Sequence, residues 1–149
     1  MGIIDKIAGR RTYLDVNVFI YALEAHPRYL ELVTEIFQAI DHGQISAVTS
    51  ELSLAEALVK PCMDKRDDLQ AVYKSTIAPA AFLDVTPVSR EILIESARVR
   101  AQSNLRLPDA VHMATARLSG CQVFLTNDLS VRAVGGIEIV RLADFANDC

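Results

Sequence analysis

With 149 residues, 51% of them hydrophobic and 23% charged, the chain has the size and composition of one globular domain and not of a disordered segment. A formal charge of −4 excludes a general nucleic-acid coat and leaves room only for a local basic patch. No apolar run approaches the ~20 residues of a membrane span, so no membrane association is expected.

Residues 1 to about 11, "MGIIDKIAGRR", lack the apolar core of a signal peptide, and Lys6 breaks the myristoylation pattern. They read as an N-terminal extension without a usable motif, on a single domain covering 1–149. Beyond them the pattern alternates. Short strands are predicted at Thr12–Asp15, Ile45–Thr49, Ala81–Val85, Gln122–Thr126 and Ile137–Val140. Helices are predicted between them, at Val16–Glu24, Arg28–His42, Glu51–Lys60, Lys65–Ala78, Ser89–Gln102, Pro108–Leu118 and Leu129–Val134. Gly43 and Gly120 punctuate helix ends, Pro108 suits a first helical turn, and Gly135-Gly136 breaks the last helix. Strands separated by helices imply βαβ crossovers, hence an α/β domain whose parallel sheet is covered on both faces. The segment "PCMDKRDDLQ" is a polar helix start, because its acids lack the spacing and glycine of a calcium loop. Cys62, Cys121 and Cys149 are odd in number and widely spaced, which fits reduced thiols and a cytoplasmic location.

Open parallel sheets bind ligands beyond the carboxyl ends of their strands. Four acids fall at such places. Asp15 ends the first strand in "TYLDVNVFIYAL". Glu56 follows the second strand in "TSELSLAEALVKP". Asp109 opens a helix in "LPDAVHMATA", and Asp128 follows the fourth strand in "VFLTNDLS". Taken singly, Asp109 and Asp128 read equally well as helix-terminus or turn residues. Leu52, Ala55, Leu58 and Val59 suggest a largely buried helix around Glu56, and Asp15 terminates a central strand. Together, four carboxylates on one rim repel one another and raise their own pKa values unless a cation is bound. All-oxygen ligands select Mg²⁺ or Mn²⁺ over zinc. His112, one turn past Asp109, reads as a packed or hydrogen-bonded residue and not as a ligand.

The set "LDVNVFIYAL", "SELSLAEAL", "LPDAVHMATA" and "FLTND" resembles the PIN domain, most of all its small VapC-type toxins, over residues 12 to 142. The resemblance implies a three-layer α/β/α fold with a five-stranded parallel sheet of order 3-2-1-4-5. It implies a metal-dependent ribonuclease site at Asp15, Glu56, Asp109 and Asp128. Asn17, Thr126 and Asn127 match the polar positions that support the carboxylates. It further implies an antitoxin partner and a homodimer, with Val18, Phe19, Leu30 and Phe37 as contributors to an apolar face. Of the 19 acidic residues, the four site acids leave 15 against 15 Lys and Arg, so the remaining surface is neutral on balance. Lys60, Arg106 and Arg132 are spaced to contact RNA phosphates, although each alone is ordinary surface charge. Few aromatics and no Trp argue against a stacking platform for single strands.

Other classes fit less well. A haloacid-dehalogenase-like phosphatase needs a second Asp where Asn17 stands. A receiver-type phosphoacceptor would use Asp84, but lacks the acidic pair after the first strand. A housekeeping RNA-processing PIN nuclease and a non-catalytic PIN binding module share the same scaffold and stay open as alternatives.

Overall fold

Strand residues whose side chains alternate between two apolar sets can only sit in a sheet covered on both faces. The computed structural model, which describes residues 1–146, has that arrangement. Its strands are β1 (Arg11–Leu14), β2 (Ser46–Ser50), β3 (Leu83–Thr86), β4 (Val123–Thr126) and β5 (Glu138–Arg141). All pairings are parallel, in the order β3-β2-β1-β4-β5. Tyr13 lies opposite Val48 of β2 and Phe124 of β4, so β1 is central and its carboxyl end faces the point where strand order reverses.

Seven helices cover the sheet: α1 (Ile3–Ile7), α2 (Val16–Leu23), α3 (Leu30–Asp41), α4 (Glu51–Met63), α5 (Asp67–Thr76), α6 (Arg90–Gln102) and α7 (Leu107–Leu118). Leu14, Ala47, Leu83, Val123 and Leu125 join residues of α1 to α5 in one core. Tyr13, Val48 and Phe124 join residues of α6 and α7 in the other. This is the expected three-layer α/β/α fold. None of these helices is long and apolar enough to cross a membrane.

Three local expectations need correction. Residues 1 to 11 hold a helix: Ile3 and Ile7 are buried in the first core, and Lys6 and Arg10 reach Glu138 of β5 at 2.9 and 3.0 Å. Residues 129–134 form a turn and irregular chain, not a helix. A six-residue segment cannot offset helix nucleation without a buried face, and here only Val131 is buried. Meanwhile α4 continues through Pro61. The bond lost at its nitrogen is tolerated in the last turn, where Asp64 N–H still donates to Lys60 O at 2.9 Å. Cys62 is exposed and Cys121 buried, both as free thiols, with burial pushing the Cys121 thiol up to about 12. Cys149 lies outside the described residues.

Gly43, after α3, has φ 74°, and a Cβ there would lie 2.9 Å from the Phe82 ring, so only glycine closes this helix without displacing the β3 approach. Ser50 caps α4, its hydroxyl accepting from Leu52 N–H at 3.0 Å while fully buried. Ser50→Ala is expected to cost about 1 kcal/mol, read as a lower urea midpoint at unchanged m-value.

Candidate functional site

β1 stops at Leu14 because the next residue caps a helix. Asp15 keeps extended backbone dihedrals (φ −71°, ψ 159°), and its Oδ1 accepts from Val16 N–H at 2.8 Å. Its own N–H donates to Leu125 O at 3.0 Å, which pins it to β4. The residue is only 8% exposed. Burial, above all, raises its pKa from the ordinary aspartate value, and the charge of Glu56 pushes the same way. The Thr126 hydroxyl and the Val16 N–H oppose that shift.

Thr126, fully buried at the end of β4, ties two acids together. Its hydroxyl donates to Asp15 Oδ2 at 2.6 Å and accepts from Asp128 N–H at 3.0 Å. Asp128 Oδ1 accepts from the Ser130 hydroxyl at 2.7 Å and Ser130 N–H at 2.8 Å, and these bonds lower its pKa. Arg141 of β5 holds the backbone of this turn, donating to Asp128 O at 2.5 Å and Val131 O at 3.1 Å. Nothing in the sequence pattern marks that arginine, since its partners are carbonyl oxygens.

Asp109 sits in the first turn of α7, behind Pro108, where the missing proline N–H costs nothing. Its Oδ2 lies 3.5 Å from Arg106 Nε. The charge of Arg106 also helps to lower the pKa of Asp128, so it lies within electrostatic range of that acid. Glu56, on α4, is half-buried. Its Oε1 lies 2.5 Å from His112 Nε2. The helix around it is less buried than expected: Ser53, Ala57 and Pro61 form its buried face, while Ala55 and Val59 are exposed.

Each of the four acids is thus engaged by a protein donor: Asp15 by Val16 and Thr126, Glu56 by His112, Asp109 by Arg106, Asp128 by Ser130. The charge of Glu56 acts on Asp15, and Arg106 pairs with Asp109 while its charge reaches Asp128. Among the described residues, no three His, Cys, Asp or Glu side chains are gathered as a ready-made ligand group.

The polar neighbours divide. Asn17 Oδ1 is buried and has no hydrogen-bond partner, an orphaned acceptor two residues from Asp15. Asn127 is turned away from the acids: its Oδ1 accepts from Ala143 N–H at 2.9 Å and its Nδ2 donates to Tyr21 Oη at 3.4 Å, so it anchors the turn after β5. Lys60 and Arg132 are exposed, but Arg132 lies on irregular chain and not one helical turn from Asp128. Val18 and Phe19 are fully buried in the core and cannot form a partner face; Leu30 and Phe37 keep part of their surface. Asp84 pairs with Arg11 at 2.7 Å, far from any phosphoacceptor arrangement, because Arg11 opens β1 and lies at the opposite end of that strand from Asp15.

Comparison with known proteins follows the same lines. A toxin–antitoxin complex from Klebsiella pneumoniae superposes with a TM-score of 0.62 at 20% identity, over 88% of this chain and 97% of that one. VapBC2 from Rickettsia felis, bound to a DNA fragment from its promoter, gives 0.66 at 13% identity, over 87% and 97%. The sarcin-ricin loop cleaving toxin VapC20 from Mycobacterium tuberculosis gives 0.61 at 13%, over 76% and 86%. At these identities the likeness is one of fold. A comparison with curated protein sequences gives no match. The PIN domain family model matches residues 12–137, which takes in β1 from its second residue, β2, β3, β4 and all four acids and ends just before β5, and the chain therefore belongs to the PIN domain family.

Proposed function

We propose that this PIN domain is an endoribonuclease that depends on Mg²⁺ or Mn²⁺, and that it is the toxin of a toxin–antitoxin pair. The observation that carries the reading is Asp15, a nearly buried carboxylate at the end of the central strand with its pKa raised by burial. A site whose burial disfavours the charged carboxylate is one in which a cation favours it. The donor set fits a hard cation: oxygens from Asp15, Glu56, Asp109 and Asp128, with the unpartnered Asn17 Oδ1 on α2 two residues from Asp15.

Asp15 and Asp109 would hold the ion, and Glu56 and Asp128 would complete or orient its surroundings. When bound, a divalent cation supplies acidity to water and offsets charge on phosphoryl oxygens. The chain's own residues do the rest. Thr126 keeps Asp15 and Asp128 at a fixed spacing through its single hydroxyl. Arg106 places a guanidinium beside the acids, where it can take a phosphate oxygen of the substrate once Asp109 is otherwise engaged. Lys60 and Arg132 extend that contact along the backbone. The family neighbours that are toxin–antitoxin complexes support an antitoxin partner for this chain, with the exposed Leu30 and the half-buried Phe37 as apolar contributors. A homodimer and a cytoplasmic location belong to the same reading.

Purified protein is expected to cleave RNA only with Mg²⁺ or Mn²⁺, with Ca²⁺ or EDTA abolishing the activity, since in-line attack needs tighter geometry than Ca²⁺ imposes. Undiminished cleavage in EDTA, after controls for contaminating nuclease, would overturn the metal dependence. RNA binding without cleavage under any cation would favour a non-catalytic PIN module.

A further inference from the structure

His112 lies in the middle of α7, within the run Ala110–Ala116, every residue of which is buried. A histidine in such a run must find partners for both ring nitrogens. It does so in two directions. Nδ1 lies 2.5 Å from Tyr13 Oη, and Nε2 lies 2.5 Å from Glu56 Oε1. The ring is only 2% exposed and meets the Tyr13 ring edge-on, with centroids 5.8 Å apart. Tyr13 in turn stacks on Phe124, at 4.9 Å between centroids. Neither ring has room to turn.

The partners assign the protons. An ionised carboxylate only accepts, so Nε2 carries a hydrogen and donates it to Glu56. The Tyr13 phenol then donates to Nδ1. A phenol keeps its proton at neutral pH, and Nδ1 is the acceptor within its reach. The Ser53 and Thr49 hydroxyls lie against the phenol oxygen, with Thr49 also donating to Leu14 O at 2.8 Å. A continuous buried chain runs from β2 and α4 through Tyr13 and His112 back to Glu56.

Its anchor points are the elements that carry the acids. Tyr13 stands two residues before Asp15 on β1, His112 three residues after Asp109 on α7, and Glu56 is itself on α4. A half-exposed glutamate on a helix would otherwise sample several rotamers. We propose that His112, backed by Tyr13, is a positioning residue: it locks the Glu56 carboxylate in place and registers α4, β1 and α7 so that Glu56, Asp15 and Asp109 keep one geometry. This rests on the nuclease reading for its catalytic consequence, and on the structure alone for the bond itself.

Two near-isosteres separate the contacts. The amide nitrogen of glutamine falls near the position of Nε2, whereas asparagine reaches only to Nδ1. His112→Gln keeps a donor for Glu56, and His112→Asn keeps a partner for Tyr13 but leaves Glu56 free. Both lose a buried histidine, so both lower the thermal midpoint. Cleavage by His112→Asn is expected to fall about 10- to 100-fold in kcat with KM little changed, as for loss of a group that orients a site carboxylate. His112→Gln should recover most of that rate. In a Glu56→Gln background, His112→Asn should add no further loss, because the two act through one bond. Equal losses in the two His112 variants, or a full additional loss in the Glu56→Gln background, would overturn the proposal.

Imidazole ¹⁵N spectra of the full metal-free chain test the bond without any RNA. Nε2 should be protonated and protected from exchange, and Glu56→Gln should shift its resonance. An unmoved resonance overturns the proposal even if RNA is cut. Absence of cleavage by the wild-type chain, with the resonance moving as expected, overturns the nuclease reading and leaves the crossbrace standing as a structural bond only.

Discussion

Asp15→Asn is expected to reduce RNA cleavage by two orders of magnitude or more, equivalent to at least about 2.7 kcal/mol of transition-state stabilisation. The same substitution should make the metal-free protein more stable at neutral pH. The sign follows from the raised pKa of Asp15 in the fold. Below the ordinary aspartate value both folded and unfolded chains hold the proton, and ionisation has no effect on stability. As pH rises from there to the raised folded value, the unfolded chain releases its proton first, and stability falls. Above that window the loss is constant. Asparagine removes it, because an amide does not ionise. The upward direction is already net of the bonds from Thr126 and Val16, so those bonds do not reverse the sign. The gain in thermal midpoint should therefore shrink as pH falls below the ordinary carboxylate range. Adding Mg²⁺ should invert the order, since ligand binding stabilises only a folded state that can hold the ion. Thermal midpoints of both proteins at two pH values, with and without Mg²⁺, give the full test. A variant less stable than wild type at neutral pH without metal would show Asp15 to be a structural cap of α2.

The parts of the fold that the sequence makes legible are those where one local signal and one tertiary demand coincide. "LDVN" reads as a strand end because Asp15 both ends β1 and caps α2. "LPDA" reads as a helix start because proline and an acid suit the same turn. The three-layer order follows from alternation of strands and helices, and the structure has it. The misses share a cause. α1 is five residues long, and its two buried isoleucines matter only because the core behind β5 receives them. The 129–134 segment carries helix-compatible residues, but its chain is held by the Ser130 bonds to Asp128 and by Arg141 from a strand that follows it. Such constraints are not local and leave no periodic trace.

At the site the division is similar. The acids were visible as residue types at strand and helix ends, whereas the network that orients them was not. Tyr13 is an ordinary strand residue in sequence, and its bond to His112 spans 99 positions. His112 gave a faint signal, as the one polar ring in an otherwise small and apolar helical run. Asn127 is a different case: its place beside Asp128 suggests support for a carboxylate, while its amide oxygen accepts from the backbone of Ala143.

For Asp109, two partners compete in explanation, and a paired substitution separates them. If Asp109 serves only its helix end and Arg106, then Asp109→Asn should cost at most about 1 kcal/mol, the combined scale of an exposed ion pair and a helix-terminus charge. Arg106 is 77% exposed, so the pair is well solvated and its 3.5 Å contact is weak. Cleavage would then be untouched. If Asp109 helps to hold the cation, kcat should fall by about two orders of magnitude or more while stability shifts by no more than that ~1 kcal/mol. Arg106→Ala supplies the contrast. It removes the same ion pair but leaves the carboxylate, and a guanidinium that contacts a substrate phosphate is expressed mainly in binding. Its KM should rise, more at low salt than at high, where ions already screen the contact. Asp109→Asn should thus appear in kcat and Arg106→Ala in KM, with similar and small changes in urea midpoint. Matching kinetics for the two variants would return Asp109 to the role of an ion-pair partner at the start of α7.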